Sequence, residues 1–434
     1  MKILSYPSAS AEKRLDKIVR RDIGFRKKDA DAVARIISDV RKGGDSALIK
    51  YARKFDCPGM KADAIAVTKA EFAAARKAVD RRVMSAINRA TRQISAFHRR
   101  QLPNSWVDTD RSGTLLGQMV HPVDAAGVYV PGGQGGSTPL VSSVLMGVIP
   151  ARIAGVPRVV MASPPTADGN LNPYLLVAAE KAGVDAVYKV GSAWAVAGLA
   201  YGTETLPRVD VIVGPGNLYV TLAKKLVSGT VGIDMIAGPS EILIIADSTA
   251  NPAYLAADML SQAEHDKLAS AVLLTTSADV AEATRLALAR QLPALSRNAL
   301  AEASLKDFGA IFVVPDLETA VELANRIAPE HLELQVEAPL DWVGRLRNAG
   351  AVFMGAHTPE PVGDYIAGPN HVLPTAGTAR FSSALSVETF LKKTSLIYYN
   401  QARFREEAKD IMALAGVEGL DGHANAVAIR LTSK

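Results

Sequence analysis

The 434-residue chain holds a single cysteine, Cys57, which excludes an intramolecular disulfide framework and a cysteine-rich structural zinc site. A lone thiol suits a reducing compartment, so a cytoplasmic location is expected. No export signal is legible: residues 1–6 are too few for an apolar core, and residues 11–31 are heavily charged. The longest run without charge, residues 125–151, carries Pro131, Pro139, Pro150 and the Gly132-Gly-Gln-Gly-Gly136 centre. In lipid such a segment would leave backbone groups unpaired, so it reads as protein core and no membrane partner is expected. A strong excess of one charge is missing too, the net value being +5. Basic residues gather in 13–28 and 76–100, but acids and apolar residues at helical spacing interrupt them and aromatics do not interleave. They read as solvated helix faces, with no nucleic-acid partner expected. Finally, no G-x-G-x-x-G dinucleotide fingerprint occurs.

The chain is long enough for two to four domains with ample core. Its first 120 residues or so read as helical, with apolar residues spaced by three and four over 30–51 and 69–101 and one poorly defined sheet contribution. From Ala125 the pattern changes to short apolar strands ending in glycine or proline, each followed by a helix. Strands are expected at 127–130, 156–162, 186–190 and 209–213, with helices at 174–182, 193–201 and 219–227. The rhythm repeats with strands at 242–246, 271–275, 309–314 and 351–354 and helices at 279–290, 318–327 and 340–348. A βαβ rhythm argues for parallel sheets, hence an α/β class with two such domains. The last fifty residues return to helix at 404–415 and are too few for an independent core, so they must pack on the main body or on a second subunit.

Two turns substitute for the missing fingerprint. Pro131-Gly132-Gly133 follows the 127–130 strand, and Gly214-Pro-Gly-Asn217 precedes the 219–227 helix. Small residues where a strand gives way to a helix either make a tight turn or let phosphate meet free N–H groups.

Histidine is also scarce, but four of the seven sit beside carboxylates or amides: Gln262-Ala-Glu-His265, Pro329-Glu-His331, Gly368-Pro-Asn-His371 and Gly422-His423. With Asp364 they suggest one divalent-metal site and an acid–base pair, the mixed nitrogen and oxygen donors suiting zinc. On a helix starting near Pro252, Gln262 and His265 would share a face. Asp364 follows Gly363 in a loop that can bend it inward. Taken singly, each of these residues reads equally as a satisfied core or surface residue, and nothing local links the segments. Pro329 disfavours helix at Ala328, ending the 318–327 helix, while residues 332–336 alternate as in a half-buried strand. Glu330 and His331 therefore fall at a helix-to-strand corner, and joint action on one substrate requires bent backbone there, because adjacent strand side chains diverge. The alternative is an exposed Glu beside a His bonded to backbone.

In order, Gly214-Pro-Gly-Asn217, Ala237-Gly-Pro-Ser-Glu241, Ser261-Gln-Ala-Glu-His265, Pro329-Glu-His-Leu-Glu333, Gly368-Pro-Asn-His-Val-Leu-Pro374 and Glu418-Gly-Leu-Asp-Gly-His423 resemble the histidinol dehydrogenase family from about Lys28 to the C-terminus. The resemblance implies a zinc-dependent, four-electron oxidation of L-histidinol to L-histidine by two NAD in turn, through a bound L-histidinaldehyde, as the last step of histidine biosynthesis. It implies one Zn2+ per subunit on Gln262, His265, Asp364 and His423. Substrate contacts would come from Ser240, His331, His371 and Glu418 as well as from those ligands, NAD contacts from Tyr129 and Asn217, and catalysis from Glu330 and His331. The implied fold is two incomplete Rossmann-like parallel-sheet domains with a small helical C-terminal tail, in an intertwined homodimer whose partner tail completes the site. Residues 1–27 would form an N-terminal helical arm. Residues 28–124 with 240–381 would form a discontinuous α/β domain carrying most of the site, 125–239 the NAD domain and 382–434 the dimerisation tail.

Neutral His331 would take the alcohol proton, and Glu330 would activate the water that adds to the aldehyde before the second hydride transfer, since Cys57 matches no family site residue. One departure stands out: Gly191-Ser-Ala-Trp194 replaces the family's Gly-Gly-Ala-Gln, so an indole that stacks on the nucleotide or fills the pocket stands for a cofactor-contacting amide. Two other functions share these features. One is a related dehydrogenase of another polar alcohol, such as a sulfonated diol, although Glu388 and Glu418 suit a cationic, aminated substrate better. The other is a zinc hydrolase or metal-binding protein without NAD use, which would form no NADH.

Overall fold

The computed structural model describes residues 1–21, 24–132 and 138–432. Gly133, Gly135 and Gly136 of the glycine-rich turn lie outside these. The chain divides into two compact units, Met1–Gln101 with Val123–Phe390, and Leu102–Pro122 with Leu391–Lys434.

The first unit contains two wholly parallel sheets. The larger has six strands in the spatial order Ile3–Ser5, Ala310–Val313, Ser270–Thr275, Glu241–Ala246, His331–Gln335, Ala351–Met354. The smaller orders Ala186–Lys189, Arg158–Ser163, Ala125–Tyr129, Val211–Val213 and Gly232–Ile233. In the smaller sheet the chain moves outward in one direction from Ala125–Tyr129 and then reverses to place Val211–Val213 on its other side. Both sheets are covered on their faces, and the strands accordingly read as continuous apolar runs.

Alternation along the strands sorts the larger core. Leu243, Ile245, Val272, Leu274 and Phe312 pack with the helices Ala9–Val19 and Leu317–Ile327 on one face. Ile242, Ile244, Ala271, Leu273 and Ile311 pack on the other with Pro252–Ala263, Ala278–Gln291 and Asn298–Phe308. The charge-free run 125–151 becomes the buried strand Ala125–Tyr129 and part of the helix Val141–Ile153, whose residues 143–151 are buried all round. That is how a helix inside a core reads. Among the described residues no helix is long and apolar enough to cross a membrane.

Several elements differ from the sequence expectation. The 69–101 span breaks into Lys69–Ala78 and Arg81–Arg99, because the Asp80 carboxylate accepts from Val83 N–H at 2.9 Å and starts a new helix. Only Leu340–Val343 of the 340–348 stretch is helical. His331–Gln335 is buried along its whole length, not half-buried, since it lies inside the sheet between two parallel neighbours. The first residues also carry an edge strand, Ile3–Ser5.

The second unit has its own antiparallel sheet, in which Thr114–Pro122 pairs with Trp106–Asp108 and Leu391–Tyr399. The C-terminal segment is therefore not purely helical: that nine-residue strand precedes the helices Gln401–Val417 and Asp421–Thr432. Its exposed, weakly alternating sequence resembles a loop, and only the distant pairing with residues 114–122 makes it a strand.

Candidate active site

The helix Leu317–Ile327 ends because Ala328 adopts φ 54°, ψ 63°, and its N–H closes on Ala324 O at 2.8 Å. A left-handed alanine is uncommon, and held here it redirects the chain so that Pro329-Glu330 enters the strand His331–Gln335 from an angle. The bend supplies what adjacent strand residues lack. Glu330 and His331 converge, with Glu330 Oε2 3.6 Å from His331 Nδ1 and both side chains buried. Gly350 permits this geometry: its N–H donates to Pro329 O at 3.0 Å, Ala351 N–H donates to Glu330 O at 3.0 Å, and a Cβ at 350 would lie 2.5 Å from Glu330 O.

The imidazole orientation follows from its hydrogen bond. His331 Nδ1 lies 2.9 Å from Glu241 O, an acceptor only, so Nδ1 carries the hydrogen and Nε2 keeps its lone pair. Burial pushes the His331 pKa down to about 4, His265 and His371 push the same way, and Asp364 opposes them. The ring is therefore a neutral base at pH 7. Its Nε2 lies 3.9 Å from Glu360 Oε1, and single donor atoms of His331, Glu360 and Asp364 all fall within 4.8 Å of one another.

Around this trio the carboxyls are unusually buried. Burial raises the Glu330 pKa well above the ordinary glutamate value, with Glu241, Asp364 and Glu360 adding like-charge repulsion. Glu333, two residues along the strand from His331, accepts from Gln335 Nε2 at 3.2 Å and Glu360 N–H at 3.1 Å, and its side chain hydrogen-bonds with that of Asp258. Burial raises Asp258, Glu333 and Glu360 alike. So many carboxyls in one place call for a cation or for protons.

Asp258 lies one turn before Gln262 on the helix Pro252–Ala263, so the two share a face. Gln262 Oε1 is buried and has no hydrogen-bond partner among the described residues. A carboxamide oxygen left so is what a hard or borderline cation would satisfy, and the donor set fits such an ion. His265 is not on that helix, which ends at Ala263; its own N–H caps onto Gln262 O at 3.2 Å. Its Nδ1 bonds Ser261 O at 2.8 Å, leaving Nε2 available.

His371 is half-buried with Nε2 enclosed and unpartnered among the described residues, on a loop that Asn370 Nδ2 ties to Met146 O at 2.8 Å. Ser240 immediately precedes Glu241. Thus Glu330, His331 and Asp364 are brought together, and His265 and His371 lie within electrostatic reach of His331. Glu418 and His423 belong to the second unit, at the end of Gln401–Val417 and on Asp421–Thr432. Sequence reasoning missed Glu360, whose spacing of four from Asp364 was the available signal, and Glu333, which shares a strand face with His331. It also missed Glu241 and Arg21.

The expected nucleotide contacts lie at the carboxyl edge of the smaller sheet. Tyr129 ends its strand, and its hydroxyl accepts from Ser192 N–H at 3.0 Å. Asn217 caps the helix Leu218–Val227, its Oδ1 accepting from Tyr219 N–H at 3.0 Å and Val220 N–H at 3.2 Å. Gly214, at φ 113°, passes so close that a Cβ would meet Tyr129 O at 2.1 Å. Trp194 is 4% exposed and stacks on Tyr51 and Phe55, at centroid distances of 5.9 and 5.5 Å. The indole thus packs between the helices Lys27–Phe55 and Ser192–Tyr201.

A buried imidazole–carboxylate pair at the amino edge of a parallel sheet, beside a cluster of cation-seeking oxygens, is equipment for acid–base chemistry in an α/β enzyme. The sequence model of the histidinol dehydrogenase family matches residues 20–431. Histidinol dehydrogenase of Desulfotalea psychrophila is 58% identical over 400 residues, 92% of each chain, and that of Heliobacterium mobile is 52% identical over 431 residues, 99% of each. The crystal structure of histidinol dehydrogenase from Elizabethkingia anophelis superposes with a TM-score of 0.93 at 36% identity, covering 99% of this chain and 98% of that one. This chain belongs to the histidinol dehydrogenase family and is an oxidoreductase.

Proposed function

We propose that the chain oxidises L-histidinol to L-histidine at the expense of two NAD, the last step of histidine biosynthesis, in the cytoplasm. The single observation carrying this is the convergence of neutral His331 with Glu330 beside Asp364. Gln262, His265 and Asp364, with His423 of the partner subunit, would hold one zinc ion per subunit. Bound there, zinc would anchor the substrate's imidazole and amine and, as a positive charge among buried carboxyls, favour their ionised forms. Ser240, His371 and the partner subunit's Glu418 complete the substrate contacts. Apolar side chains exposed in the second unit, including Leu414 at 67%, Val417 at 88% and Ile397 at 74%, support its packing against another copy in a homodimer.

In the first half-reaction His331 Nε2 takes the hydroxyl proton while the carbinol hydrogen leaves as hydride to NAD, giving L-histidinaldehyde. In the second, Glu330 takes a proton from water as its oxygen bonds to the aldehyde carbon, and protonated His331 gives its proton to the former carbonyl oxygen, which makes the hydrate. His331 then removes the hydroxyl proton of the hydrate as a second hydride leaves. The sum is alcohol plus water plus two NAD+ giving carboxylate, two NADH and three protons. Tyr129 and Asn217 flank the point where strand order reverses in the smaller sheet, the usual nucleotide position of a Rossmann-like fold. That supports residues 125–239 as the NAD domain, with residues 28–124 and 240–381 bearing the acid–base site, 1–27 an arm and 382–434 the dimerisation tail.

The test is NADH formed per L-histidinol consumed by zinc-loaded protein, with and without chelator. Two NADH per substrate, lost on chelation, is expected. His331→Ala should stop both half-reactions, and Glu330→Gln should slow aldehyde oxidation by about 10²- to 10⁴-fold while sparing the alcohol step. Equal losses in both steps would refute the division of labour.

A further inference from the structure

We propose that the buried Arg21–Glu241 ion pair is a positioning clamp that fixes the Glu330 carboxylate, a role that rests on the reading of Glu330 given above. Glu241 starts its strand beside the acid–base pair and contacts both members. Its N–H donates to Glu330 Oε2 at 2.9 Å, its Oε2 accepts from Glu330 N–H at 3.3 Å, and its carbonyl holds His331 Nδ1 at 2.9 Å. Glu241 and Glu330 are thus locked reciprocally, side chain of each to backbone of the other. Such a lock fixes the direction of the Glu330 carboxylate more tightly than either bond alone.

Two carboxylates held this close in a dry site repel each other unless a cation stands by. Arg21 is that cation. Its Nη2 donates to Glu241 Oε1 and to Pro239 O at 3.3 Å, and the guanidinium lies over the Phe308 ring at 5.5 Å. Ala376 N–H adds a second donor to Glu241 Oε1 at 3.2 Å. The side chains of Arg21 and Glu241 are 3% and 10% exposed, while Arg21 Nε and Nη1 have no partner among the described residues. Buried ion pairs rarely add net stability, and this one leaves donors unpaired. What it does is hold Glu241, and through it Glu330. Arg21 follows the helix Ala9–Val19, so the N-terminal segment, which carries no residue of the acid–base pair, reaches Glu241 through this side chain.

The experiment measures the two half-reactions separately, L-histidinol to aldehyde and added L-histidinaldehyde to histidine, in Arg21→Met, Arg21→Lys, Glu330→Gln and the Arg21→Met/Glu330→Gln double variant. A misdirected carboxylate costs turnover and not substrate affinity. Arg21→Met should therefore lose about 10- to 100-fold in kcat for aldehyde oxidation, with KM for L-histidinaldehyde within about threefold. Arg21→Lys should recover part of the loss. Because Arg21 acts through Glu330, the double variant should be no slower than Glu330→Gln alone. A double variant slower by the product of the two single losses, or Arg21→Met at full rate, overturns the clamp. A Glu330→Gln variant at full rate overturns instead the reading of Glu330. If Arg21→Met does not fold, Arg21→Lys, which keeps the charge and loses the forked geometry, carries the same comparison in its own double variant.

Discussion

Substituting alanine for Gly350 would test whether the acid–base pair depends on backbone placement. Glu330 O is gripped from the neighbouring strand by Ala351 N–H at 3.0 Å, and a Cβ on residue 350 would stand 2.5 Å from that oxygen. Retreat is blocked by Leu373 Cβ, 3.1 Å from the same point. Since Cβ contacts under 3.0 Å essentially never occur, the Glu330 backbone must yield by the difference, 3.0 − 2.5, or about 0.5 Å. A misplacement of about 1 Å at a reacting group can cost roughly 10²-fold. Half that displacement then predicts a loss of roughly tenfold in kcat, about 1.4 kcal/mol of barrier. Overpacking should lower stability by about 1–3 kcal/mol. The assay is steady-state NADH formation beside urea denaturation followed by circular dichroism. Gly344→Ala serves as control, because a Cβ there meets nothing within 4 Å. Gly350→Ala turning over like the parent, or losing no more than Gly344→Ala, would refute the argument that this glycine sets the position of Glu330.

Trp194→Ala should destabilise the fold by about 3–5 kcal/mol in urea titrations, as expected for an emptied, stacked aromatic site, with KM for NAD changed little. A large rise in that KM at unchanged stability would show that the indole serves the nucleotide. Asp56, whose Oδ2 is buried without a partner among the described residues, has its pKa pushed by burial from 3.8 to about 7. The unfolded carboxyl ionises first, so this group's contribution turns against folding as pH rises from about 4 to 7 and stays so above. Asp56→Asn should therefore match the parent in thermal stability near pH 4 and exceed it at pH 8; an equal gain at both values would exclude ionisation as the cause. Gln262→Leu should lower zinc content on dialysis, measured by metal analysis, because its unpartnered oxygen is replaced by an apolar group of similar size; unchanged zinc retention would remove Gln262 from the ligand set.

The βαβ rhythm, the parallel strands from Ala125 to Met354 and the stop after Ile327 follow from local physics. Apolar period, strand length, glycine turns and the restriction before Pro329 act on neighbours in the chain, so a single sequence displays them. The ordered motif blocks likewise contained Glu330 and His331 as candidates, and Asp364 was a candidate from its place after Gly363. Tertiary structure alone decided what those residues meet. The left-handed turn at Ala328 folds Glu330 onto His331, and Glu360 and Asp364, on a continuous helical stretch where the sequence suggested a loop, meet His331 from another part of the chain. Arg21 finds Glu241 across 220 residues, and no local spacing encodes that pairing. The strand Leu391–Tyr399 and the packing of Trp194 were decided in the same way, by partners far away in sequence. Local propensity records what a segment prefers when its surroundings are averaged, whereas burial, charge partners and strand pairing depend on which distant atoms exclude water from it.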